Sequence, residues 1–192
     1  MDLQAARARP LAVKILLAAA ACFLAQGVAA QAADICAVTG QNYIQDPDFA
    51  LEIADPKSKY WTSGQHAGEA SYETEVQDGE LTIRKTGTQP WFVYRQRIES
   101  KKLGGKKIAF TAELKLDLQL PEHPGAFPVG GGLQLIARSP RRKILRASTL
   151  QHEPRMGTTD WQQVQVVIQL PAKTAMVDVA FLLQADGTLR VR

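Results

Sequence analysis

Apolar and polar residues alternate with a period of two through much of the chain between Gly79 and Leu120. In the longest run Ile108, Phe110, Ala112, Leu114, Leu116 and Leu118 fall on one face, with Thr111, Glu113, Lys115 and Asp117 between them. Successive side chains of a strand point to opposite faces, so this pattern predicts half-buried antiparallel strand and not helix. Tyr72, Thr74 and Val76 alternate before Asp78-Gly79, and Leu81 and Ile83 alternate after it. Asp-Gly tolerates the positive φ angles of a two-residue hairpin turn, so these two runs predict a hairpin. In Trp91 to Ile98, Phe92, Tyr94 and Ile98 share one face, while Trp91, Val93, Arg95 and Arg97 share the other.

The rest of the chain reads in the same way. Pro121 to Pro128 holds three prolines in eight positions and predicts an irregular loop. Gly130-Gly131-Gly132 leads into a short strand, Leu133 to Ala137, and a basic link connects it to Ile144 to Leu150. After Gly157-Thr158-Thr159-Asp160, the residues Trp161, Val164, Val166, Ile168 and Leu170 mark another strand. Val177, Val179, Phe181 and Leu183 mark the next, and Asp186-Gly187 predicts a turn into Leu189 and Val191. Nine or ten short strands and almost no helix predict an all-β fold, an antiparallel β-sandwich of one domain.

The first residues read differently. Arg7, Arg9 and Lys14 precede an apolar run from Ile15 to Ala25, and small residues follow at Val28-Ala29-Ala30 and Ala30-Gln31-Ala32. That order predicts a bacterial signal peptide over residues 1–33 and a mature domain over 34–192, periplasmic or secreted. A membrane anchor is the other reading, but Gln26 and Gly27 break the run short of the roughly 20 residues a span needs. Ala19-Ala20-Ala21-Cys22 loosely matches a lipoprotein cleavage box, which keeps lipidation at Cys22 as an alternative. Setting aside Arg7, Arg9, Lys14 and Asp2 takes the charged residues from 23 basic and 19 acidic to 20 and 18. The basicity thus belongs largely to the leader, and no nucleic-acid partner is implied. Cys36 is the one cysteine left after cleavage, so no intrachain disulfide is expected.

Several stretches together resemble a known family. Asn42-Tyr43-Ile44-Gln45-Asp46-Pro47-Asp48-Phe49 followed by Trp61 is similar to the opening of exported carbohydrate-binding modules. Gln96-Arg97-Ile98, Leu103-Gly104-Gly105-Lys106-Lys107-Ile108 and Ala112-Glu113-Leu114-Lys115 resemble the middle of that pattern. Gly157-Thr158-Thr159-Asp160-Trp161, Leu170-Pro171 and Ala185-Asp186-Gly187-Thr188 resemble its end. The resemblance implies the galactose-binding-like jelly roll and a glycan-binding role. The family's last strand usually continues to an aspartate that completes a structural calcium site, and no such residue follows Val191 here. A calcium site of the family's type is therefore not expected, and the residues call for no other metal or cofactor.

A sugar site needs an aromatic face for the pyranose ring and planar polar groups for its hydroxyls. Trp61 and Trp161 fall where the family pattern places packing aromatics. Trp91 lies opposite the core face of its strand, beside Arg95, and is the candidate platform. The competing reading has Trp91 covering the sheet edge with Arg95 packed over it as a cation–π pair. Gln134, Gln163, Gln165 and Gln169 all lie opposite hydrophobic neighbours, and glutamine donates and accepts in one plane. The expected ligand-binding set is Trp91, Arg95, Gln134 and Gln165. A basic patch of Arg138, Arg141, Arg142, Lys143 and Arg146 suits an acidic glycan, phosphates or anionic lipid, or is a solvated hairpin end that discourages edge pairing. His66, His123 and His152 have no zinc-binding spacing, and no nucleophile elbow or phosphate loop is present. Glu73 and Glu75 read as a solvated side of the hairpin. The expectation is a binding protein and not an enzyme, with no catalytic residues. Its partner is a polysaccharide, or else a protein of the cell envelope held without a glycan.

Overall fold

The computed structural model describes residues 14–17, 40–51, 60–99, 101–149 and 155–192. The strands are β1 (Lys14–Leu17), β2 (Thr62–Gln65), β3 (Tyr72–Gln77), β4 (Glu80–Lys85), β5 (Phe92–Glu99) and β6 (Lys107–Gln119). They continue as β7 (Gly130–Arg138), β8 (Ile144–Ser148), β9 (Gly157–Thr158), β10 (Gln162–Gln169), β11 (Met176–Gln184) and β12 (Asp186–Val191). A 3-10 turn, Lys101–Leu103, precedes β6. One sheet runs β1-β6-β12-β4-β3, with β9 and β10 also paired to β6, and the other runs β2-β5-β11-β7-β8. Every pairing is antiparallel, and the two sheets form a sandwich. No helix among the described residues is long and apolar enough to cross a membrane.

The alternation explains the packing. Ile108, Phe110, Ala112, Leu114, Leu116 and Leu118 of β6 are all buried, and meet Phe92, Tyr94, Leu133, Leu135, Val177, Val179 and Phe181 from the second sheet. Trp61 stacks on Tyr94 and Phe181 at centroid distances of 5.7 and 5.3 Å and donates from Nε1 to the Asp46 carbonyl. Phe49 is fully buried beside it. The opening motif is thus a turn that seals the core: Leu51 N–H donates to the Asp46 carboxylate, and buried Gln96 clamps the backbone of Gln45 through both amide atoms. Asp78 and Gly79 both carry positive φ, 51° and 78°, and close the hairpin between β3 and β4.

Two local expectations are corrected, and two strands are added. Gly130, Gly131 and Gly132 lie inside β7 and not before it, paired with Gln184, Leu183 and Leu182. At Gly131 a Cβ would lie 2.8 Å from Leu118 Cδ1 of the facing sheet, so the missing side chain lets the sheets close. Asp186-Gly187 is not a hairpin turn, because β11 and β12 belong to different sheets and the chain crosses between them at Ala185. Thr62–Gln65 adds an edge strand that its sequence, two small residues between polar ones, does not announce. Lys14–Leu17, inside the expected leader, pairs with Ile108–Thr111 of β6. Cys22, Cys36 and both small-residue cleavage sites lie outside the described residues.

Candidate functional site

The outer face of the five-stranded sheet carries the odd positions of β5 and the even positions of β7 and β11. Register sets them in rows: Val93 beside Leu182 beside Gly132, then Arg95 beside Ala180 beside Gln134, then Arg97 beside Asp178 beside Ile136. An outward strand face is normally polar, yet Leu182, Ala180 and Ile136 are apolar and buried. Leu182 lies in a groove. Trp91, Val93, Phe127, Pro128, Gln134, Thr149, Leu182 and Gln184 enclose about 330 Å³ above the sheet. Val93 and Leu182 supply an apolar floor, Trp91 and Phe127 supply aromatic rings, and Gln134 and Gln184 supply planar amides.

The proline-rich segment between β6 and β7 builds one wall. Phe127 is 42% exposed, a large apolar side chain left to solvent at the groove's rim. His66 lies edge-on to both rings, with centroids 6.1 Å from Trp91 and 6.0 Å from Phe127. Its Nδ1 is 3.0 Å from Gln89 Oε1, and its backbone N–H donates to the Trp91 carbonyl. The three rings therefore form a braced aromatic corner, half-buried at Trp91. A second hollow of about 340 Å³ lies at Lys115, Asp117, Thr158, Thr188 and Arg190 of the other sheet. Its size is similar, but it holds no aromatic ring and so offers no sugar platform.

The expected site residues separate. Trp91 and Gln134 line the same groove. Arg95 stands four residues from Trp91, about 13 Å along an extended strand, so the two side chains do not address one ring. Gln165 is not brought to the groove: it lies on β10 in the other sheet and donates to Thr111 Oγ1 at 3.1 Å. Alternation tells outward from inward but not which sheet a strand joins. The cation–π pair recorded among the described residues is Arg192 over Trp161, at 4.3 Å, and not Arg95 over Trp91. Trp61 is core, as described above. Sequence reasoning missed His66, Phe127, Leu182 and Gln184; the apolar outward positions of β11 were the available signal.

The basic patch also divides. Arg141, Arg142 and Lys143 are exposed on the β7–β8 turn, which Ser139 closes by accepting from Arg142 N–H and donating to the Lys143 carbonyl. Arg146 reaches the Gln169 carbonyl of the opposite sheet at 3.0 Å. Arg138 joins Arg97 on Asp178: Arg97 donates from Nε and Nη2 at 2.6 and 3.0 Å, and Arg138 from Nε at 2.5 Å. Burial, the largest single influence, raises the Asp178 pKa, but the hydrogen bonds and charges of the two arginines outweigh it and hold the carboxyl below its ordinary 3.8. A group depressed in the folded state stabilises above its unfolded pKa and loses that contribution as pH falls through the folded one. Asp178→Asn should therefore cost about 2 kcal/mol at neutral pH and flatten the loss of stability below about pH 4. Chemical denaturation of both proteins at pH 7 and pH 3 measures it; an unchanged pH dependence would remove Asp178 as its source.

Among the described residues no three His, Cys, Asp or Glu side chains are grouped to hold a metal ion. No protein-family profile and no curated protein matches the chain. Among solved structures it is similar to the enzymatically active domain of tailspike protein 4 of bacteriophage CBA120, with a TM-score of 0.58 and 9% identity. That match covers 82% of this chain, which spans only 22% of the tailspike chain. It is also similar to a CBM4 module, with a TM-score of 0.41, 18% identity, and 68% of this chain and 81% of that one covered. For the C-terminal family 22 carbohydrate-binding module of Clostridium thermocellum Xyn10B the TM-score is 0.44 at 14% identity, covering 70% and 83%. At 9% identity the likeness to the tailspike domain is one of fold alone, an antiparallel β-sandwich.

Proposed function

We propose that this domain binds a polysaccharide in the groove on the outer face of its five-stranded sheet, without acting on it chemically. The observation that carries the reading is the lining: two aromatic rings and an apolar floor beside two glutamine amides in one concavity. An apolar pocket with a few convergent polar groups is the usual form of a small-ligand site. A pyranose has an apolar face and a hydroxyl-bearing edge, and this lining offers a surface for each. The concave surface at Trp91 supports the glycan reading over a flat protein-docking face. Export through residues 1–33 fits such a role and remains part of the proposal.

The test is intrinsic tryptophan fluorescence titrated with a panel of neutral and acidic polysaccharides. A saturable change is the expected result, because Trp91 is half-buried and a bound ring alters its solvent contact. No response to any glycan from a folded protein would overturn the reading in favour of a protein partner.

A further inference from the structure

We infer that the groove selects polysaccharides carrying carboxylate groups, through Arg95, Arg97 and Arg138 on the face that continues from it; this rests on the glycan reading above. The three arginines lie in adjacent rows of one surface. Arg95 is in register with Ala180 and Gln134, Arg97 with Asp178 and Ile136, and Arg138 with Met176. Gln134 belongs to the groove lining, so the basic row begins where the groove ends.

The charge balance on this face is uneven. Asp178 is the buried carboxylate placed among the three guanidinium groups, its side chain is 1% exposed, and it is already engaged by both Arg97 and Arg138. With Glu99, which shares the row of Met176 and Arg138 and acts electrostatically on Arg97, two carboxylates against three arginines leave a net charge of +1. Among the described residues no carboxylate forms an ion pair with Arg95, whose backbone carbonyl accepts from the Thr62 hydroxyl. Glu99, at the end of β5, is exposed and lies beside Met176. The exposed Arg141, Arg142 and Lys143 of the β7–β8 turn add to the positive potential at the same end.

Asp178 does more than offset charge. By gripping two guanidinium groups it spends their rotamer freedom before any ligand arrives; Arg138 Nη1 also donates to the Arg142 carbonyl at 3.1 Å, which leaves Arg97 Nη1 and Arg138 Nη2 outside these bonds. Arg97 and Arg138 keep 29% and 18% of their side-chain surface exposed, so part of each can be reached. A planar guanidinium matches a carboxylate with two parallel hydrogen bonds, a geometry that a uronate can meet and its methyl ester, which has lost the charge, meets far less well. The order along the face is then an aromatic corner for one sugar ring, followed by a cationic stretch for the acid group of a ring farther along.

The test titrates the whole protein with polygalacturonate, its fully methyl-esterified form, dextran sulfate and neutral dextran, each at low and moderate salt. The expected result is polygalacturonate binding at least tenfold tighter than its ester, with the preference shrinking as salt rises. Arg95→Gln, at a position with no recorded ion pair, should collapse the ratio between the two forms towards one. Equal, Trp91-dependent binding of acid and ester would overturn the inference while leaving the glycan groove standing. Dextran sulfate binding as tightly as polygalacturonate, or a ratio untouched by Arg95→Gln, would also overturn it, since simple charge attraction would then suffice. Failure of every probe to bind would remove the groove reading itself.

Discussion

Trp91→Ala should weaken polysaccharide binding about 30-fold, close to abolishing it in a titration at ordinary concentrations. The reasoning starts from area. A tryptophan offers a larger rigid apolar surface than any other side chain, and losing a buried aromatic anchor commonly costs about 2 kcal/mol or more. In the groove Trp91 brings the larger of the two lining rings, and His66 braces it edge-on together with Phe127. The fold should survive, because Trp91 precedes β5 and is only half-buried on the outer face of its sheet. Trp161→Ala serves as the comparison: it lies under Arg192 on the other sheet and should leave binding unchanged. If Trp161→Ala weakens binding and Trp91→Ala does not, the ligand sits on the wrong sheet for every argument made above.

The largest loss of stability is expected from Gly187→Ala, about 4 kcal/mol, a large part of the 5–15 kcal/mol that holds a typical domain folded. Gly187 has φ of 112°, which side chains rarely adopt, and a Cβ there would lie 2.0 Å from the Asp117 carbonyl oxygen. That oxygen is backbone and cannot swing aside. Gly187 pairs with Leu118 in the register joining β12 to β6, so relief requires two paired strands to part. Gly105 separates the two causes: its φ is 74°, but no neighbour lies within 4 Å of a Cβ. Gly105→Ala should cost about 1 kcal/mol, the backbone penalty alone. Urea denaturation followed by tryptophan fluorescence measures both. Equal costs would mean that the backbone angle, not the close approach, governs Gly187.

Much of the sandwich was legible because alternation reports burial directly. β6 and the Asp78-Gly79 hairpin were readable from side-chain order alone, since neither depends on distant residues. The groove was half legible. Trp91 and Gln134 follow from facing outward, but Phe127 and Gln184 meet them only through the β5-β11-β7 pairing and the fold of a proline-rich loop. No local pattern encodes which distant strands become neighbours, and Gln165 was misplaced for that reason. Phe127 shows the same limit, because a loop too irregular to predict supplies the wall of the site. Leu182 and Ala180 did carry a usable signal: apolar residues on both faces of β11 mark a surface that something covers.

One strand lends the unprocessed chain a different outline from a processed one. Lys14–Leu17 occupies the edge of β6 at Ile108–Thr111, beyond the stretch where β12 runs. A chain cut after residue 33 would surrender that strand and leave four residues of β6, about 13 Å of backbone, bonded on one side to β10 and bare on the other. Unpaired donors and acceptors of that kind accept an extended segment from any source with a matching register. If residues 1–33 are a leader, as proposed, they cover the sheet until they are removed, and their departure opens a seam on the sheet opposite the Trp91 groove.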